Sequence, residues 1–239
     1  CVGLGYDELL IESSSFSRFS NETLPEKAGS INAVVSKDFG GNFIVLNLNN
    51  TNDVVMNEER CSPLALTDFT TTLLYENFDE QSGDIAVLNW INHREKGTKS
   101  WRSYTDSYAQ SKAARMGSKN SGDISTISWL ITKGIYLDTT SQEFLSFETS
   151  NSFANGSELE VLISTDFDGE ENNITTANWT LLPAKIVSDG EGYKNWVHST
   201  YIDLSSYSGT AYIAFKYLGN SNVNFDGTYE LDNIVINAN

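Results

Sequence analysis

From residue 73 to residue 239, apolar and polar positions alternate in short runs, and clusters of Gly, Asn, Ser and Asp end each run. The runs include "ISWLITKGIYL", "EFLSFETS", "LEVLISTD", "TLLPAKIV", "HSTYIDL", "TAYIAFKYLG" and "YELDNIVI". Leu145, Phe147 and Thr149 recur at every second position, as do Ile213, Phe215 and Tyr217, the period of a strand with one face buried. Proline is nearly absent from these runs, as ladder hydrogen bonding requires. Helical spacing is not sustained anywhere, although "SYAQSKAARM" (107–116) has the composition of a short helix. Many short strands with regular turn signals predict an antiparallel β-sandwich of jelly-roll type.

Residues 1–62 form a separate small β-rich stretch. "INAVVS" and "NFIVLNL" read as strands joined at "KDFGG", whose Asp and Gly residues favour a hairpin turn. Residues 63–72, with Pro63 and several threonines, read as a connector to the sandwich over 73–239. With 239 residues, one large β-domain or two domains are both reasonable.

Charge narrows the choice of partner. The chain has 15 Lys and Arg against 32 Asp and Glu, a net −17, and so repels nucleic-acid phosphates. It has no run of 18 apolar residues, so no membrane-spanning helix is expected. Acidity suits solubility outside the cell and divalent-cation binding.

Catalytic motifs are scarce. His93 and His198 are the only histidines, and they read as surface residues. There is no Gly-x-Ser-x-Gly elbow and no His-Glu-x-x-His pair, and nothing singles out two carboxylates for glycosidase chemistry. In "STDFDGEENN" (164–173), Asp166, Asp168 and Gly169 imitate the start of a calcium loop. The later oxygens and closing Glu do not follow, so the stretch reads as a turn whose aspartates bond their own backbone.

Two other constellations carry more. "YENFDE" (75–80) opens the sandwich and "YELDNIVI" (229–236) closes it; first and last jelly-roll strands are commonly neighbours, which brings Glu76, Asp79 and Asp232 within reach of one another. Three carboxylates with nearby carbonyls suit a structural Ca²⁺, a hard cation needing six to eight oxygens, while a turn cap is the alternative role for Asp232. Residues 93–119 hold seven of the fifteen basic residues, opposed only by Glu95 and Asp106. Trp101, Arg102, Tyr104 and Tyr108 fall among them and form a candidate platform for an anionic or neutral glycan; the alternative is a solvated loop with its rings turned inward.

From "YENFDE" to the C-terminus the chain resembles the choice-of-anchor J family, which is related to the cleaved-adhesin domains of gingipains. The shared ordered set is "ENF", "SWLIT" leading to "LD", "FLSFET", "LEVLISTD", "NWTLL", "YIAFKY" and "LDNIVI". The resemblance implies a galactose-binding-like jelly roll, export to the cell surface, and binding in place of catalysis. Gingipain adhesin domains carry an aspartate-rich calcium loop before a Trp. The matching "INHREKGTKSW" has bases there, so the calcium expectation moves to Glu76, Asp79 and Asp232. Residues 1–61 resemble the second half of the OB-like domain that precedes choice-of-anchor J in Bacteroidota lipoproteins, on "SSFSRFSNETLPEKAGSINAVVS" and "NDVVMNEERC". A chain beginning on Cys could be an acylated lipoprotein; this resemblance makes Cys1 an internal cysteine instead. Cys1 and Cys61 bracket the small unit, and export implies that they pair as a disulfide; in a reducing compartment they would be two thiols. The expectation is a non-enzymatic binding module of an exported Bacteroidota lipoprotein, at the cell surface or outer membrane, that binds a polysaccharide or serves in adhesion. The alternative is an accessory subunit of an outer-membrane protein assembly.

Overall fold

The computed structural model describes residues 10–14, 16–40, 44–59, 69–106, 111–153, 156–188, 191 and 195–239. The chain divides into two compact units, broadly the residues before and after Pro63. In the first unit, β1 (Leu10–Glu12) pairs in parallel with β4 (Ile44–Asn47), which pairs antiparallel with β3 (Val34–Lys37). A second pair joins β2 (Ala28–Ile31) to β5 (Val54–Glu58). The expected strand over "INAVVS" is thus split at Asn32, whose N–H donates to the Asp53 carbonyl at 2.8 Å. Of the described residues here, only Val45 is buried, while Phe16, Leu24, Val35 and Ile44 are exposed. Cys1 and Cys61 lie outside the described residues.

The second unit is an all-β sandwich. One sheet runs β14 (Thr180–Leu181), β13 (Glu158–Ser164), β17 (Thr210–Gly219), β10 (Thr126–Ile131) and β7 (Ile91–Lys96), with β11 (Ile135–Tyr136) also on β17. The other runs β15 (Val197–His198), β12 (Glu143–Ser152), β18 (Thr228–Ala238), β9 (Ser111–Gly117) and β8 (Arg102–Asp106). In this second sheet β6 (Thr71–Glu76) adds to β18, and β16 (Ile202–Asp203) adds to β12. Among the described residues no helix is long and apolar enough to cross a membrane.

The alternation read from sequence sets which side chains meet between the sheets. Leu145 and Phe147 from β12 face Ile213, Phe215 and Tyr217 from β17, and all are fully buried in one core. Phe147 and Phe215 meet edge to face with centroids 5.2 Å apart, a favoured aromatic geometry. Trp129, Ile131, Leu162 and Ala214 fall on the opposite parity and point outward from the first sheet. Their cover is Phe167, Ile174 and Trp179, so the segment 167–179, which begins within "STDFDGEENN", folds back over this apolar surface. The aspartates of "STDFDGEENN" bond locally. Asp166 accepts from Ser164 Oγ at 2.8 Å, from the Asn178 side chain and from Asn178 N–H at 2.9 Å, and Asp168 accepts from Glu170 N–H at 2.9 Å and from the Asn173 side chain; these bonds lower both carboxyl pKa values.

The helix expected within 107–116 is a correction. Residues 107–110 lie outside the described residues, and Ser111–Gly117 is a strand bonded on both edges. Ala114 and Met116 alternate into the core, and tertiary pairing overrides the helix propensity of an Ala-rich run.

Candidate functional site

The outer face of the second sheet carries the site. Residues directly opposite in neighbouring antiparallel strands share a face. Ser150 stands opposite Glu230, Glu230 opposite Arg115, and Arg115 opposite Arg102, so one polar row crosses β12, β18, β9 and β8. Tyr104 lies two residues along from Arg102, on the same face, opposite Ala113. The Arg115 guanidinium sits 4.4 Å from the centroid of the Tyr104 ring, a cation–π pairing.

Around this pair opens a cavity of about 350 Å³, lined among the described residues by Lys99, Ser100, Arg102, Ser103, Tyr104, Arg115, Gly117, Lys119 and Thr228. Gly117 is needed for its shape, because a Cβ there would lie 2.4 Å from Thr228 Oγ1. Beyond the lining, Lys119 Nζ stands 5.8 Å from the ring of Phe153, which is 70% exposed.

Acids hold the two arginines from behind. Arg102 Nε meets Asp84 Oδ1 at 3.4 Å in solvent, and Arg115 Nε meets Glu230 Oε1 at 3.2 Å. Glu230 is buried, and its Oε2 has no hydrogen-bond partner among the described residues. Burial is the main reason its pKa rises from 4.5 to about 7; Arg115 and Ser152 pull it down, and Asp106 pushes it further up. Asp106 is itself buried and accepts from Trp196 Nε1 at 3.0 Å.

The platform residues named from sequence are thus partly together. Arg102 and Tyr104 both line the cavity. Trp101 does not: it is 0% exposed in the inter-sheet core, one residue out of phase with Arg102, and cannot stack on a ligand. Its backbone N–H and carbonyl are clamped by the Asn92 side chain at 3.1 and 2.8 Å. Tyr108 lies outside the described residues. Sequence reading missed the particular importance of Arg115 and gave no sign of Glu230, Phe153 or Trp196, which arrive from strands or loops remote in the chain.

The acidic constellation sits farther along the same sheet. β6 pairs with β18, placing Glu76 opposite Ile234, as the neighbouring of first and last strands predicts. Between Ser146 and Glu148 the β12 register shifts against β18, and Asn233 takes a left-handed φ of 50°. This bulge lets Leu231 and Ile234 both face the core while Asp232 stays on the outer side. Asp232 Oδ1 accepts from Asn233 N–H at 2.7 Å, and Asn233 Nδ2 donates to Glu148 Oε2 at 2.7 Å. Burial, with Glu148 and Asp79 adding to it, raises the Asp232 pKa from 3.8 to about 7; the Asn233 N–H and Ser111 lower it. The Glu76 carboxyl is also raised, first by burial and then by Asp79, against the Phe78 N–H that it accepts at 2.7 Å. Asp79 is backed by Lys112, whose N–H donates to Oδ1 at 3.0 Å and whose Nζ donates to the Asp79 carbonyl at 2.6 Å. These acids influence one another electrostatically, and Glu148 joins the expected three. As placed, no three His, Cys, Asp or Glu side chains among the described residues are grouped to hold an ion.

No family model matches the chain, and no curated protein matches it. Solved structures do. It is similar to the K1 cleaved adhesin domain of Lys-gingipain from Porphyromonas gingivalis W83, with 20% identity over 71% of this chain and 99% of that one, at a TM-score of 0.48. The K3 domain of the same protein matches at 18% identity, 70% and 100% coverage and a TM-score of 0.47. TmCBM61, solved with beta-1,4-galactotriose, matches at 12% identity over 71% of this chain and 100% of that one, at a TM-score of 0.48. At these scores the likenesses assign neither a site nor a ligand to this chain.

Proposed function

We propose that the sandwich is a non-catalytic glycan-binding module that works at the cell surface, in an exported protein of the choice-of-anchor J type. The observation that carries the binding reading is the cavity beside Tyr104. It combines an aromatic ring, cations and hydroxyls on a rigid strand pair, which suits binding and orientation of a polar ligand. Its described lining contains no carboxylate and no imidazole. Affinity electrophoresis of the full chain against a panel of plant, algal and host polysaccharides tests the reading. Retardation by at least one glycan, lost in Tyr104→Ala at unchanged Tm, is the expected result. Folded protein that binds none of them, or turnover of a glycan that stops on removing one carboxylate, would refute it.

We also propose that Glu76, Asp79 and Asp232, with Glu148, hold a structural calcium ion. The chemistry of the donor set supports this, since carboxylates and backbone carbonyls are the hard oxygens that Ca²⁺ takes. Asp232 is buried, and its described partners are an N–H and a hydroxyl, with no cationic side chain among them. A bound cation would bring these acids together and offset the cost of burying their charge.

A further inference from the structure

Resting on the glycan reading, we propose that the cavity beside Tyr104 takes a negatively charged saccharide, with one carboxylate or sulfate oxyanion held between Arg102 and Arg115. The first reason is the pairing of these two residues. They stand directly opposite each other in β8 and β9, which sets both side chains on one face of the sheet at neighbouring positions. Lys99 and Lys119 line the same cavity, so four cationic residues line one cavity of a chain whose net charge is −17.

The second reason is how the guanidinium groups are tied. Each is anchored to protein through Nε, Arg102 by Asp84 and Arg115 by Glu230. Neither has a described protein acceptor on its terminal nitrogens, which leaves two forks of N–H donors for an incoming ligand. Guanidinium forks match the oxygens of carboxylate and sulfate two at a time.

The third reason separates charged from neutral sugars. Sugar hydroxyls both donate and accept, so a neutral sugar is well served by carboxylate or amide acceptors. The described lining has cations and hydroxyls but no Asp, Glu, Asn or Gln side chain. It is rich in donors, and an oxyanion is purely an acceptor. Long nucleic acids remain disfavoured because their affinity is summed over many phosphates against a strongly acidic protein. A single oxyanion is read locally, inside the Debye length of about 8–10 Å at physiological salt.

Titration calorimetry of the full chain tests this with matched oligosaccharides: oligogalacturonate against its methyl ester, and a sulfated galactan oligosaccharide against its desulfated form. The expected result is that at least one charged member binds and its neutral counterpart binds about tenfold or more weakly. Binding should also weaken as salt rises above physiological strength. The uronate and sulfate arms show which oxyanion is preferred. Arg102→Gln, at an exposed position with little structural burden, should raise Kd by about tenfold or more without moving Tm, as expected for losing a charge-assisted contact. Arg115→Gln should do the same, but it also unpairs Glu230, so Arg102→Gln is the decisive variant. Equal binding of charged and neutral forms, or binding that Tyr104→Ala abolishes and Arg102→Gln leaves intact, would overturn the anionic assignment while sparing the glycan reading. Arg102-dependent binding of inorganic sulfate or polyphosphate, without any saccharide binding, would overturn the saccharide assignment and the glycan reading together. Binding of no oligosaccharide and no inorganic anion would overturn both.

Discussion

Glu230→Gln should make this protein more stable at pH 8 while changing little at pH 4. Glu230 is 3% exposed, its Oε2 has no partner among the described residues, and burial raises its pKa from 4.5 to about 7 despite Arg115 at 3.2 Å. Because the folded-state pKa lies above the unfolded value, the contribution to stability is complete below about pH 4.5 and is lost as pH rises through 7. At about 1.4 kcal/mol for each tenfold change in proton affinity, a rise of that size is worth about 3 kcal/mol. Glutamine keeps the Oε1 acceptor for Arg115 and Ser152 but carries no charge to desolvate. A domain of 150–250 residues gains roughly 2–4 °C per kcal/mol, so the variant should melt about 6–12 °C above wild type at pH 8. The assay is a set of melting curves at half-unit steps from pH 4 to pH 9, in chelator, with the difference between the two proteins plotted against pH. That difference should open between pH 4.5 and 8. A variant that is less stable than wild type by a constant amount at every pH would show that the Arg115–Glu230 pair is net stabilising, and the burial argument would fail.

Three further outcomes are expected. If Asp232 helps hold calcium, chelator should lower the wild-type Tm and calcium restore it by mass action, while Asp232→Asn should respond far less; a wild type indifferent to chelator rules the ion out. Trp101→Ala should cost about 3–5 kcal/mol by opening a core cavity, whereas Tyr104→Ala should cost much less and act on binding, a contrast that urea melts and affinity gels read directly. Cys1 and Cys61, proposed to be joined, should resist alkylation in the unreduced protein by intact mass; in the chain-entropy model that loop contributes about 4 kcal/mol, and two modified thiols without reductant would exclude the bond.

The sandwich was legible in the sequence because a period of two is a local property. Leu145, Phe147, Ile213 and Phe215 had to share a face with their alternate neighbours, and turn clusters marked where each strand stopped. The meeting of β6 with β18 followed from jelly-roll order, so the order of the strands along the chain was enough to assign Glu76 and Asp232 to adjacent strands. The facing of single residues could not be read in the same way. Trp101 and Tyr104 are both aromatic and lie in one basic segment. Which of them enters the core depends on the register of β8 against β9, and a shift by one residue would exchange the two faces. The "SYAQSKAARM" segment failed for a related reason: its intrinsic preference is helical, and only the partners on either side of Ser111–Gly117 make it a strand. "LDNIVI" posed an acid and an amide inside an apolar strand. Tertiary pairing resolved it through the bulge at Asn233, which inserts an extra residue and so keeps Asp232 on the outer face without removing Ile234 from the core. Glu148, Glu230 and Trp196 joined the polar face from segments far apart in the chain. No local pattern encodes such neighbours, since cross-strand proximity exists only after the sheets have formed.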